Sequence, residues 1–132
     1  MDIPITLTMA ASAGLITFWL AAWTDIVRIR EKVNVGDGGN DNLLRRMRAQ
    51  ANFIEYTPFV LFLIAALELA GHGSTLLWSL GGIYMAGRVA HGIGMSGGKV
   101  EIGRVVGTIV TFLVLLALTV YAGAVVMGFT PH

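Results

Sequence analysis

The sequence predicts an all-α protein, an integral membrane four-helix bundle, and three observations predict it. Only 13% of the 132 residues are charged and 55% are hydrophobic, whereas an ordinary soluble domain carries about 25% charged residues. Uncharged runs occupy residues 3–24, 69–87 and 105–132, each long enough for a helix to cross a hydrocarbon core about 30 Å thick. All nine Lys and Arg fall around two connections between apolar runs. The length suits one compact unit, a single domain over residues 1–132.

The first helix is expected over roughly 3–29. A secretory signal is the rival reading of this segment, and it fits poorly. No basic stretch precedes the apolar run and no small-residue cleavage pattern ends it. The second helix is expected over roughly 43–70. Its own uncharged run, Tyr56 to Leu67, is short; it reaches spanning length only if Asn52 and Glu55, or Glu68, also lie at membrane depth. The third and fourth helices are expected over roughly 74–96 and 101–129.

The cations orient the bundle. Arg28, Arg30, Lys32, Arg45, Arg46 and Arg48 flank the first connection, and Arg88, Lys99 and Arg104 flank the one between helices three and four. The N-terminal end and the Gly71-His72-Gly73-Ser74 turn carry no Lys or Arg. The positive-inside rule then puts both basic connections in the cytoplasm and both termini in the periplasm. A net charge of +1 provides no basic field for nucleic acid. With no cysteine, there is no disulfide and no thiolate metal ligand, so thiol chemistry would have to use a thiol brought by the substrate. The loop Asn34-Val35-Gly36-Asp37-Gly38-Gly39-Asn40-Asp41-Asn42 has turn composition. It lacks the Gly-Lys-Ser/Thr of a phosphate-cradling loop and the alternating oxygen ligands of a calcium loop, and it reads as a solvated turn.

Polar residues in helix two raise the functional question. At 100° per residue, Arg45, Arg48, Asn52, Glu55 and Tyr56 share an arc of about 100°, and Gln50 points elsewhere. Ionisable groups at membrane depth are costly and normally face a bundle interior or wet cavity, so Glu55 calls for a cationic partner. Two readings are open: basic anchors beside an Asn52–Glu55 interhelical clamp, or a site for a small zwitterion. In the second, guanidinium groups would clasp carboxylates and Glu55 an ammonium. In helix three, Tyr84, Arg88, His91 and Met95 recur at i, i+4, i+7 and i+11, one face of a helix. His91 is either a packed histidine or a site residue. A metal site is not expected, because His72 and His132 fall on the opposite side of the membrane. Helix four opens with Gly103-Arg104-Val105-Val106-Gly107, a spacing that lets two backbones approach closely. Arg104 sits at that helix's N-terminus, where anions are favoured.

Arg45, Arg48-Ala49-Gln50, Asn52, Glu55-Tyr56 and Pro58 together resemble the second-helix signature of the MAPEG family, the membrane-associated proteins of eicosanoid and glutathione metabolism. The resemblance extends to Val27-Arg28-Ile29-Arg30, to Gly87-Arg88-Val89-Ala90-His91 and to Arg104. The Gly36-Asp37-Gly38-Gly39 loop is similar to that of a bacterial inner-membrane branch. The resemblance implies a homotrimer of four-helix subunits that binds glutathione as cosubstrate between neighbours, near the cytoplasmic side. It implies glutathione contacts from Arg48, Asn52, Glu55, Tyr56 and Gln50, from Arg28 or Arg30 of an adjacent subunit, and from Arg88 and His91. Arg104 would stabilise the thiolate, with Arg30 the alternative. The implied activity is that of a glutathione transferase, or peroxidase, acting on lipophilic acceptors that arrive through the lipid bilayer.

This chain also departs from the family pattern. Met95 stands where family enzymes often have a tyrosine, Val105 where a serine can follow the arginine, and Glu31 where leukotriene-forming members have a second arginine. A non-catalytic binding or scaffold protein of the same fold is therefore the alternative. A transporter or proton relay using Glu55, Glu68 and His91 ranks third, since no internal repeat and no broken helix is visible.

Overall fold

The computed structural model describes residues 1–97, 99 and 101–130; His132, expected on the outer side, lies outside them. Four helices account for nearly all of the described chain: α1 Pro4–Glu31, α2 Asp41–Leu67, α3 Thr75–Gly94 and α4 Ile102–Val126. A π turn, Glu68–His72, prolongs α2. Helix α1 packs on α2 and α3, and α4 packs on α3 and α2. Helices α2 and α3 touch across the middle of the bundle, leaving α1 and α4 on opposite corners.

Each boundary has a local cause. Proline in the first turn of α1 needs no hydrogen bond from its nitrogen. The N–H groups it leaves exposed find Glu68 instead: its carboxylate accepts from the Ile5 N–H (2.9 Å), the Thr6 N–H (2.7 Å) and the Thr6 hydroxyl (2.7 Å). Lys32 closes α1 in the left-handed conformation, φ 56°, its N–H reaching back to Arg28 and Ile29 carbonyls. Asn40 caps α2 by accepting from the Leu43 N–H at 2.9 Å. Gly71, at φ +85°, turns the chain out of α2, and Ser74 caps α3 through the Leu77 N–H at 3.3 Å. The uncharged run 69–87 is thus divided between two helices. Hydropathy alone could not show that break.

Three helices are long and apolar enough to cross a membrane: α1, α2 with its π turn, and α4. Helix α3, expected as a fourth such span, does not reach that standard, because its 20 residues include five glycines and the inward-facing Arg88 and His91. The bundle buries only 28%, 33% and 17% of the most apolar stretches of α1, α2 and α4. Phe18, Phe59, Phe62, Phe112 and Leu116 all point outward. That much apolar exterior suits lipid or another protein surface rather than water.

The tightest seam lies between α3 and α4. A methyl group on Gly107 would sit 2.5 Å from the Gly87 carbonyl oxygen and 2.5 Å from His91 Cβ; one on Gly103 would sit 2.5 Å from the Ala90 carbonyl oxygen. One on Gly94 would run into the backbone of Arg104. The Gly-x-x-x-Gly spacing read from the sequence therefore marks a contact of backbone on backbone. Gly107→Val is expected to force the seam apart at a cost of about 1–3 kcal/mol, lowering the thermal midpoint in detergent. Gly123→Ala, where an added methyl meets nothing within 4 Å, should leave that midpoint unchanged.

Candidate functional site

The polar residues of α2 and α3 divide into a buried network and an exposed stripe. Helix α2 turns Leu43, Arg46, Ala49, Phe53, Thr57 and Val60 inward, at the three- and four-residue spacing of a core face. Helix α3 turns Tyr84, Arg88 and His91 toward it, all nearly inaccessible, with Met95 half-buried on the same side. These four share one face, as their spacing predicts, and that face is the bundle interior.

Arg88 is the centre of the network. It is 1% exposed and extends across the bundle, not along it toward water. Its Nη1 donates to Thr111 Oγ1 of α4 at 2.9 Å and its Nη2 to Asn52 Oδ1 of α2 at 2.7 Å. Thr111 in turn donates to the Gly107 carbonyl at 2.8 Å. Further toward the end of the bundle that carries Gly71 and Ser74, Thr57 and Tyr84 share a buried hydrogen bond of 2.9 Å. Within this network, Arg88 Nε and His91 Nδ1 are buried with no hydrogen-bond partner among the described residues.

The stripe on α2 takes a different position. Arg45, Arg48 and Glu55 are exposed, and Asn52, Tyr56 and Gln50 are half-buried. The stripe lies on the flank of α2 that borders α4, where the Tyr56 ring meets Phe112 edge to face at 5.6 Å. Glu55 and Tyr56 open there onto a groove of about 500 Å³ walled by Phe59, Phe62, Leu63, Leu115 and Thr119. The cationic partner expected for Glu55 is not found among the described residues. The one ion pair among the described residues joins Arg104 to Glu101 at 3.1 Å.

The arginines of helix one separate. Arg28 is occupied by its own loop, donating to the carbonyls of Val33 (3.3 Å) and Gly36 (2.9 Å) and approaching Met47 Sδ at 3.5 Å. Arg30 is exposed. Glu68, one of the three groups assigned to a proton relay, is 8% exposed and bound by three donors as the cap of α1. Asp37 accepts from the Gly39 N–H at 3.0 Å, the behaviour of a turn residue.

Arg46 is the polar residue that sequence reasoning missed. Grouped with the surface cations, it is instead 8% exposed and stacks on Trp23 at 3.4 Å, with Trp19 tilted against Trp23 at 5.4 Å. The signal was its phase: it falls in register with Ala49, Phe53, Thr57 and Val60.

Long apolar helices with a guanidinium buried among them, and a stripe of Arg, Asn and Glu beside an apolar groove, define a multi-pass membrane protein. The sequence pattern of the MAPEG family matches residues 6–124, and the chain belongs to that family. It is 33% identical over 69 residues to inner membrane protein YecN of Escherichia coli strain K12. That match covers 51% of this chain and 53% of the relative, and YecN of the O6:H1 strain of the same species matches equally. The chain thus spans about half the length of the curated relatives it matches.

The buried hydrogen bond between α2 and α3 provides a check on this geometry. Thr57→Val and Tyr84→Phe should each destabilise by about 1 kcal/mol by leaving one hydroxyl without its partner. The double variant should lose less than their sum, as measured by thermal unfolding in detergent.

Proposed function

We propose that the protein is a membrane-embedded glutathione-dependent transferase or peroxidase acting on lipophilic electrophiles, and that it works as a homotrimer in the bacterial inner membrane. Both termini are periplasmic and the ligand site lies toward the cytoplasmic side. The observation that carries this reading is the exposed Arg48–Asn52–Glu55 stripe at the mouth of an apolar groove. Charged groups facing lipid are expensive. A second subunit covering the stripe would remove it from lipid and enclose a cleft that is polar on one wall and apolar on the other. Family membership supports the same arrangement, since the family includes glutathione transferases.

The available groups fit that ligand. Arg48 and Glu55 are exposed and unpaired within the subunit, and no hydrogen bond among the described residues engages Asn52 Nδ2. Arg48 would hold a carboxylate, Glu55 the ammonium group, and Gln50 and Tyr56 would add contacts from the flanks. Glutathione supplies a nucleophilic thiol, and the protein's task is to keep it deprotonated. A free thiol has a pKa of about 8.5, and a neighbouring guanidinium lowers it. Arg104, at the N-terminus of α4, is the residue for that role, with Arg30 of an adjacent subunit as the alternative. The lipophilic acceptor would come from the bilayer along the groove.

The non-catalytic reading draws on one observation: Arg104 is held by Glu101 at 3.1 Å. The exposed pair is worth little to stability, about 0–1 kcal/mol, yet it competes for the guanidinium. Met95, Val105 and Glu31 point the same way.

Titration of glutathione and its S-alkyl analogues into detergent-purified protein tests the site. Arg48→Ala and Glu55→Ala are each expected to weaken binding about tenfold or more, the loss of one charge-assisted contact. Unchanged affinity in both would remove the stripe from the site. Arg104→Ala should abolish the ultraviolet band of bound thiolate while glutathione still binds. Turnover of an aryl halide by the wild-type protein separates enzyme from scaffold, and a particle mass of three chains checks the assembly.

A further inference from the structure

Resting on that reading of the cleft, we infer that Arg88 is a positioning residue. It sets the polarity of Asn52, so that the site presents an N–H donor there and requires an acceptor oxygen, carbonyl or carboxylate, on the ligand.

The polarity follows from hydrogen-bonding capacity. A guanidinium has donors and no acceptor. The atom of Asn52 that lies 2.7 Å from Arg88 Nη2 must therefore be the carbonyl oxygen, because the alternative sets two donors against each other in a buried place. The other end of the network is equally constrained. The Thr111 hydroxyl gives its proton to the Gly107 carbonyl at 2.8 Å, so it can only accept from Arg88 Nη1 at 2.9 Å. Every hydrogen bond from α4 through α3 to α2 thus has a fixed direction. The chain of bonds ends at a half-buried amide whose NH2 group no hydrogen bond among the described residues engages.

That NH2 group sits between the two exposed charges of the stripe, four residues after Arg48 and three before Glu55, both helix-neighbour spacings. Arg48 also only donates. The two together form a donor pair, and Glu55 is the acceptor one turn further on. Arg88 itself, 1% exposed and with both Nη atoms committed, acts through Asn52.

Substitution at position 52 reads the polarity directly. Asn52→Asp keeps an acceptor toward Arg88, but replaces the outward donor with a second acceptor. Asn52→Ala removes the donor without adding charge. Glutathione affinity should fall about tenfold in Asn52→Ala and further in Asn52→Asp, while the thermal midpoint of the Asp variant holds. Arg88→Met should weaken binding in the wild-type background and have no added effect on Asn52→Ala, a coupling that general loss of structure would not produce. Arg88→Lys, which can still donate to Asn52, should recover part of the affinity. Asn52→Asp binding as tightly as the wild type overturns the inference, even when Arg48→Ala and Glu55→Ala uphold the cleft.

A second measurement needs no ligand. In protein labelled with nitrogen-15 at asparagine, Arg88→Met should shift the Asn52 side-chain amide resonances. An unmoved signal refutes the positioning role. A shifted one sustains it, whether or not glutathione is what binds.

Discussion

A guanidinium buried with no carboxylate beside it is the constraint around which this bundle is arranged. Arg88 could be neutralised by an acid or released to water, and the chain does neither. Instead it surrounds the charge with oxygen dipoles from two other helices, Asn52 of α2 and Thr111 of α4. Leaving a buried donor unsatisfied costs more than a satisfied one contributes, so those two oxygens restrict how α2, α3 and α4 can be arranged. The glycine seam makes the reach to α4 short. With Gly87 and Gly107 in backbone contact, Thr111, one turn beyond Gly107, comes within hydrogen-bond distance of Arg88.

The same network separates the interior from the polar stripe of α2. Asn52 contributes to both, its oxygen turned inward and its nitrogen outward, and the charged groups of the stripe lie on either side of it. A rigid interior can then orient a surface group, which is how precise binding geometry is normally maintained. The apolar exterior has a complementary role. Helix α4 buries little of itself within the bundle, so its outer face and the α2 flank beside it are available to lipid or to another apolar surface.

Much of this was legible in the sequence. Four helices followed from the apolar runs, the backbone seam from Gly103 and Gly107, and the shared face of Tyr84, Arg88 and His91 from their spacing. Two things were not legible, each for a physical reason. Periodicity groups residues on a face without saying which neighbour the face meets, so it left the α2 stripe open to a bundle interior, a wet cavity or a cleft between neighbours; it lies on the flank. Charge counting treats every arginine near a membrane end alike, which hid Arg46 beneath Trp23. The Gly71-His72-Gly73-Ser74 turn, by contrast, was read from the sequence, and the chain leaves α2 at Gly71 and enters α3 after the Ser74 cap.

The clasp that Glu68 makes on the first turn of α1 bears on how the molecule comes into being. Until residue 68 has been synthesised, the amide hydrogens at the start of α1 lack the carboxylate that satisfies them in the finished structure. The first turn of the chain is thus completed by a residue more than sixty positions later, which ties the opening helix to the far end of its successor.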